Sequence, residues 1–136
     1  ADPAHAVDWY PTLLKLAGAS LEQKRKVDGL DLWPMLAQNQ RSPHAELLLD
    51  VEDFRGAIRV GEWKLIVHST LPMRIELFDV ANDPEEVDNR AETYPDRVKD
   101  MMAKLNAYAY DMMPAKYLED IAAIRPLLLR HNPARP

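Results

Sequence analysis

The dipeptide Gly61-Glu62 restricts the fold of this chain more than any other feature. It separates two segments, 57–60 and 63–68, that alternate apolar and polar residues. A Gly-X pair in that position suits a two-residue type II′ hairpin turn, because glycine accepts the positive φ of the first turn position. Such a turn fixes the register. Val60 then faces Trp63 and Ile58 faces Leu65 on one side of the hairpin, while Arg59 faces Lys64 and Ala57 faces Ile66 on the other.

Two more strands extend this hairpin. Residues 46–53 predict a strand before it, with Leu47, Leu49 and Val51 on one side. Residues 75–80 predict a fourth strand, after the connector 70–73. The segment 95–113 then carries Val98, Met101, Met102, Leu105, Tyr108, Ala109 and Met112 at helical spacing, with Pro95 and Asp96 in the first turn. Its apolar stripe and the Ile58, Val60, Trp63 and Leu65 face each need a partner, so the helix is expected to lie on that face. The fold class that follows is α+β: a four-stranded antiparallel meander packed by a long C-terminal helix. A further helix is expected over 115–125, after Pro114 and stopped near Pro126, with an irregular tail over 130–136.

The first forty residues read differently. Residues 5–18 predict a short helix with Asp8 as its cap, Pro11 in its first turn, and Leu13, Leu14, Leu16 and Ala17 forming a broad apolar face. Gly18 suits a left-handed stop. Residues 19–26 predict an exposed loop, Asp28-Gly29 a turn, 30–36 a short apolar segment and 38–43 another loop.

Composition excludes several functions. The net charge is −5, and no basic face stands out, which argues against a nucleic-acid partner. There is no cysteine, hence no disulfide framework, zinc knuckle or thiol nucleophile. No apolar run approaches the roughly 20 residues of a membrane span. The first residues lack a signal-peptide pattern, so either the protein is not exported or its true start is missing.

Candidate chemistry is sparse. Asp83, Glu85, Glu86 and Asp88 form an acidic run without the glycine and terminal glutamate that a calcium loop needs, so a solvated turn is expected. His5, His44, His68 and His131 are scattered, and no serine sits in a nucleophile elbow. No catalytic or metal-ligating residue emerges. Arg59 and Lys64 are the candidates for an anion contact, with His68 further along the same face. Two cations directly across a hairpin repel each other unless something neutralises them. A simple meander puts Asp79 beside Lys64 as that neutralising partner.

Four stretches, taken in order, resemble one family. Residues 7–18 (VDWYPTLLKLAG) look like the sulfatase helix VDLYPTLLDLAG, and residues 28–36 (DGLDLWPML) resemble its DGVSLLPLL segment. Residues 57–66 (AIRVGEWKLI) resemble its AIRxGxWKLI hairpin. Residues 76–80 (ELFDV), with Asn82, Asp83, Pro84, Glu85, Glu86 and Asn89, resemble ELYDLxxDPxExxNLA. Trp63 and the run 94–108 look closest to the arylsulfatase B, or N-acetylgalactosamine-4-sulfatase, branch.

The resemblance implies a sulfuric ester hydrolase that uses calcium and a formylglycine made from a C/S-x-P-x-R motif, all lying before the first matching helix. Thr70-Leu71-Pro72-Met73-Arg74 has the P-x-R spacing, but threonine would yield a ketone rather than the aldehyde. By this resemblance residues 1–40 trail from the large α/β domain and 41–136 form the C-terminal subdomain. The fragment alone is expected to be inactive, with no cofactor of its own. Its partner would be the missing large domain, and a homodimer of the fragment is also expected to cover its apolar surface. A periplasmic or secreted parent follows from the family, with Arg59, Lys64 and His68 at a pocket rim. Two alternatives stay open: a non-enzymatic α+β interaction module, and a fragment of a related phosphodiester or phosphonate hydrolase.

Overall fold

A computed structural model describes residues 2–111. The elements run as a 3-10 turn Ala6–Asp8, α1 Trp9–Leu16, α2 Trp33–Gln38, β1 Glu46–Val51, β2 Arg55–Val60, β3 Trp63–His68, β4 Arg74–Asp79 and α3 Pro95–Asp111. The four strands form one antiparallel sheet in the order β1-β2-β3-β4. The meander and its covering helix are as expected. Met112 of the apolar stripe, the helix over 115–125 and the tail over 130–136 lie outside the described residues.

The β2–β3 register follows from the turn. Val60 pairs with Trp63, Ile58 with Leu65 and Arg59 with Lys64, and Gly61 takes φ +59. Ile58, Leu65, Val67 and Leu77 then form one apolar face, and Met101 and Leu105 of α3 close over it. Each such side chain contributes about 1.5–3 kcal/mol on burial. The helix approaches closely because β2 carries Gly56, where a Cβ would stand 2.9 Å from a Leu105 methyl. The start of α3 is fixed at Trp63: Tyr94 meets that ring edge-on at 5.0 Å, and the Arg97 guanidinium lies 4.5 Å above it. Near its other end Tyr108 donates to Glu46 of β1 at 3.1 Å, and Lys104 pairs with the same carboxylate.

β1 departs from simple alternation. Leu48 pairs with Ile58 but Asp50 pairs with Ala57, leaving Leu49 as the extra residue of a bulge. Leu47, Leu49 and Val51 therefore do not share a side. Leu48 and Val51 pack toward α3, whereas Leu47 pairs with Arg59, a position on the opposite face, and Leu49 is exposed. The strand ends at Val51, where Glu52 N donates to Arg55 O at 2.7 Å across the turn.

β4 is shifted by one residue from its expected register. Lys64 faces Phe78, and Asp79 faces Trp63. The cause is the connector 69–73, which brings Arg74 opposite His68 and so sets the parity of the whole strand. Ile75 and Leu77 consequently join the helix-covered face, while Phe78 joins Ala57 and Ile66 in a smaller cluster on the other. The outer edge of β4 is occupied. Asn89 Oδ1 accepts from Leu77 N at 3.0 Å, its Nδ2 donates to Ile75 O at 3.1 Å, and Arg90 N donates to Leu77 O at 2.8 Å. An edge covered in this way does not template further pairing.

The N-terminal segment has no share in either apolar cluster. Gly18 takes φ +67 and stops α1, as expected. Asp8 does not cap the helix. The His5 ring accepts from Val7 N instead, and the Asp8 side chain turns inward. Nor does Asp28-Gly29 make a turn. A Cβ on Gly29 would collide with the Val7 carbonyl and lie 2.9 Å from Asp8 Cα, so glycine is there to let two backbones pass in contact.

Candidate functional site

Arg59, Lys64 and His68 lie on the sheet face opposite α3, and each already has an acceptor. Lys64 Nζ sits 2.6 and 2.8 Å from the two carboxylate oxygens of Glu86, a residue held at φ +57. Neutralisation is thus the arrangement at Lys64, but Glu86 supplies it and Asp79 does not. The Asp79 carboxylate takes a bond from Asn82 Nδ2 at 2.9 Å, and that bond holds it below its ordinary value. His68 Nε2 lies 3.2 Å from Glu76, with Arg74 Nη2 at 3.4 Å. Arg59 Nε donates to Gly61 O at 2.9 Å.

The three do not converge. Arg59 lines a cleft of about 380 Å³ between the sheet and the start of the chain, together with Asp2, Arg41, Ser42, His44 and Glu62. Neither Lys64 nor His68 reaches this cleft. The acidic run is self-contained: Asp83 accepts from the backbone of Val87 at 3.1 Å and Asp88 at 2.9 Å, and Asp88 pairs with Arg90 at 2.7 Å. Among the described residues no three histidines or carboxylates gather where a metal ion could sit. The described residues therefore offer no ligand set for the calcium of a sulfatase centre, and no catalytic step is derived from them.

One wall of the cleft holds an arrangement that the sequence does not reveal. Asp8 is fully buried, and its carboxylate takes three bonds: His5 N at 2.7 Å, Leu30 N at 2.9 Å and His44 Nε2 at 2.7 Å. Burial by itself raises the Asp8 carboxyl, but the backbone groups of Leu30 and His5 and the His44 ring outweigh it and hold the group below its ordinary value. Thr12 continues the network: its hydroxyl donates to Asp8 O at 2.6 Å and accepts from Leu32 N at 2.8 Å. Ser42 donates to Pro3 O at 2.5 Å and accepts from His44 N at 3.1 Å. Two of the three partners of Asp8, Leu30 and His44, lie 22 and 36 residues along the chain, beyond the reach of any local spacing rule.

Leu32 is buried against this polar centre, but most of the large apolar side chains around it are exposed. Trp9, Leu13, Leu16 and Leu36 are 50–57% exposed and Trp33 is 42% exposed. Leu16, Trp33 and Pro34 line a shallow groove between α1 and α2. Exposed apolar surface of this extent is what docking faces carry.

No family model matches the chain. Individual proteins do. It is 30% identical over 117 residues to arylsulfatase K of Homo sapiens, an alignment covering 74% of this chain and 21% of that protein. It is 37% identical over 94 residues to choline-sulfatase of Rhizobium meliloti (strain 1021), covering 66% and 18%. The crystal structure of Ps i-CgsB superposes with a TM-score of 0.69 at 27% identity, covering 83% of this chain and 26% of that one. The fold is that of an α+β C-terminal sulfatase subdomain, a four-stranded antiparallel sheet with one long helix. These likenesses support the sulfatase family for the chain, which spans about a fifth of the length of those curated relatives.

Proposed function

We propose that this chain is the C-terminal part of a sulfatase, a sulfuric ester hydrolase, and that it has no turnover by itself. The observation that carries this reading is the pairing of a self-sufficient sheet with an uncovered apolar face on α1 and α2. The occupant we assign to that face is the large catalytic domain of the same protein. That domain would supply the formylglycine nucleophile and the calcium. Arg59 would stand at the pocket rim as an anion contact, because it alone of the three cationic candidates lines the cleft. Lys64 and His68, each engaged by a carboxylate, support the sheet instead.

Within the family, Trp63 and the run 94–108 favour an arylsulfatase B-like carbohydrate sulfatase. We also assign the parent to the periplasm or the exterior. No described helix is long and apolar enough to cross a membrane. A second copy of the chain is the competing occupant of the apolar face, and the two are separable. The chain is mixed with a separately produced catalytic domain and assayed with an aryl sulfate and calcium. No turnover is expected from the chain alone, and binding to the catalytic domain is expected to disappear in Leu13→Lys. Turnover by the repurified chain, or a stable dimer abolished by that substitution without any heterologous binding, would overturn the proposal.

A further inference from the structure

We propose that the Asp8 carboxylate, acting through His44, is an acid-operated clasp that joins the N-terminal unit, residues 2–38, to the sheet. Three observations carry it. The junction is polar, since neither apolar cluster includes a residue from 2–38. Asp8 is fully buried at the point where the start of α1, the 28–32 segment and the lead-in to β1 meet. Its carboxylate is the common acceptor for all three, while other links include Ser42 to Pro3 O, Gln40 N to Pro34 O and the exposed Arg41–Asp2 pair at 4.0 Å.

An ionised carboxylate accepts three bonds without conflict. Once protonated it carries a donor hydrogen of its own and loses its charge and part of its acceptor capacity, which weakens the bonds that the three groups make to it. His44 is the titratable side chain that faces Asp8 among the described residues. From the neighbouring elements, Asp31 is turned to Lys15 at 2.7 Å and Trp33 N at 2.9 Å, and the His5 ring is turned to Val7 N. The sign is fixed by the direction of the Asp8 shift. A group depressed in the folded state stabilises above its unfolded value, about 3.9, and that stabilisation is lost as pH falls through the folded value. The clasp is therefore closed at neutral and mildly acidic pH and opens in stronger acid. The sheet and α3, joined by apolar packing, stay folded when it does.

Amide hydrogen exchange on the 136-residue chain tests this with residue resolution. The Leu30 amide reports the clasp, the Trp33 amide reports the separate Asp31 pair, and Leu65 and Leu77 report the sheet. Between pH 6 and pH 3 the protection factor of Leu30 should fall severalfold relative to Leu65, and the fall should persist in Asp31→Asn. Pepsin at pH 3 should then cut within residues 2–38 and leave residues 46–111 intact. In Asp8→Asn, Leu30 should be unprotected at pH 6 and show no further fall. If that variant does not fold, the parent and His44→Gln series decide, the latter losing protection at a higher pH than the parent. Equal Leu30 protection at both pH values, or Leu30 and Leu65 falling together, overturns the clasp.

Discussion

The sheet with α3 and the N-terminal unit are built on opposite plans. The first buries Ile58, Leu65, Leu77, Met101 and Leu105 and carries its charges outside or in pairs. The second buries Leu32 beside an aspartate and a threonine and carries its tryptophans and most of its leucines outside. Apolar burial gives net stability in proportion to area. Satisfied buried hydrogen bonds give only about 1 kcal/mol each, but they fix geometry closely. The difference is one of interiors: the sheet and α3 close on apolar packing, while the N-terminal unit closes around Asp8 and leaves Trp9, Leu13 and Leu16 half exposed.

The comparison breaks most visibly in the sheet core. Met101→Asp puts an unpaired charge where the side chain is 3% exposed, and should cost about 3–5 kcal/mol in a thermal melt. Met102, only half-buried on the flank of the stripe, should cost less under the same change. Gly29→Ala comes next, at about 2 kcal/mol or more, since the new Cβ meets the Val7 backbone. Its effect should stay local, with Leu30 and Leu32 amides exposed and the Leu65 amide protected. A uniform loss would show that the two regions fold as one. Asn89→Ala should cost about 1–2 kcal/mol by leaving Leu77 N–H without its acceptor, measurable by urea denaturation. Leu13→Lys on the exposed helix face should shift stability by less than about 0.5 kcal/mol while reducing hydrophobic-dye binding.

What the sequence disclosed was local. The hairpin was legible because a two-residue turn leaves one register, and α3 because seventeen residues carry a full helical period. The β1 bulge was not, because Leu47-Leu48-Leu49 offers three identical side chains and no sign of which is extra. The β4 register hid in the parity of a connector. At the candidate site, Arg59 and Lys64 were correctly set across from each other, but the partner of Lys64 comes from a loop 22 residues later. Asp8 already had a plausible local task as a helix cap, and besides the nearby His5 N its partners are contributed by distant segments. The Asp28-Gly29 pair carried the right residue for a different reason: close approach rather than reversal.

Glu86 has a consequence for how this region tolerates change. It adopts φ +57, a conformation that disfavours any residue with a Cβ, and from there its carboxylate meets Lys64 across the sheet edge. Backbone ease favours glycine at position 86, and charge pairing favours glutamate. Which one wins is decided at position 64. With lysine there, Glu86→Gly strands a cation beside Arg59; with a neutral residue there, the same change relaxes the loop. The two positions are therefore epistatic, and the sign of a substitution at one depends on the occupant of the other. Lineages that drift at residue 64 would free residue 86 to follow, and those that keep the lysine are held to an acid.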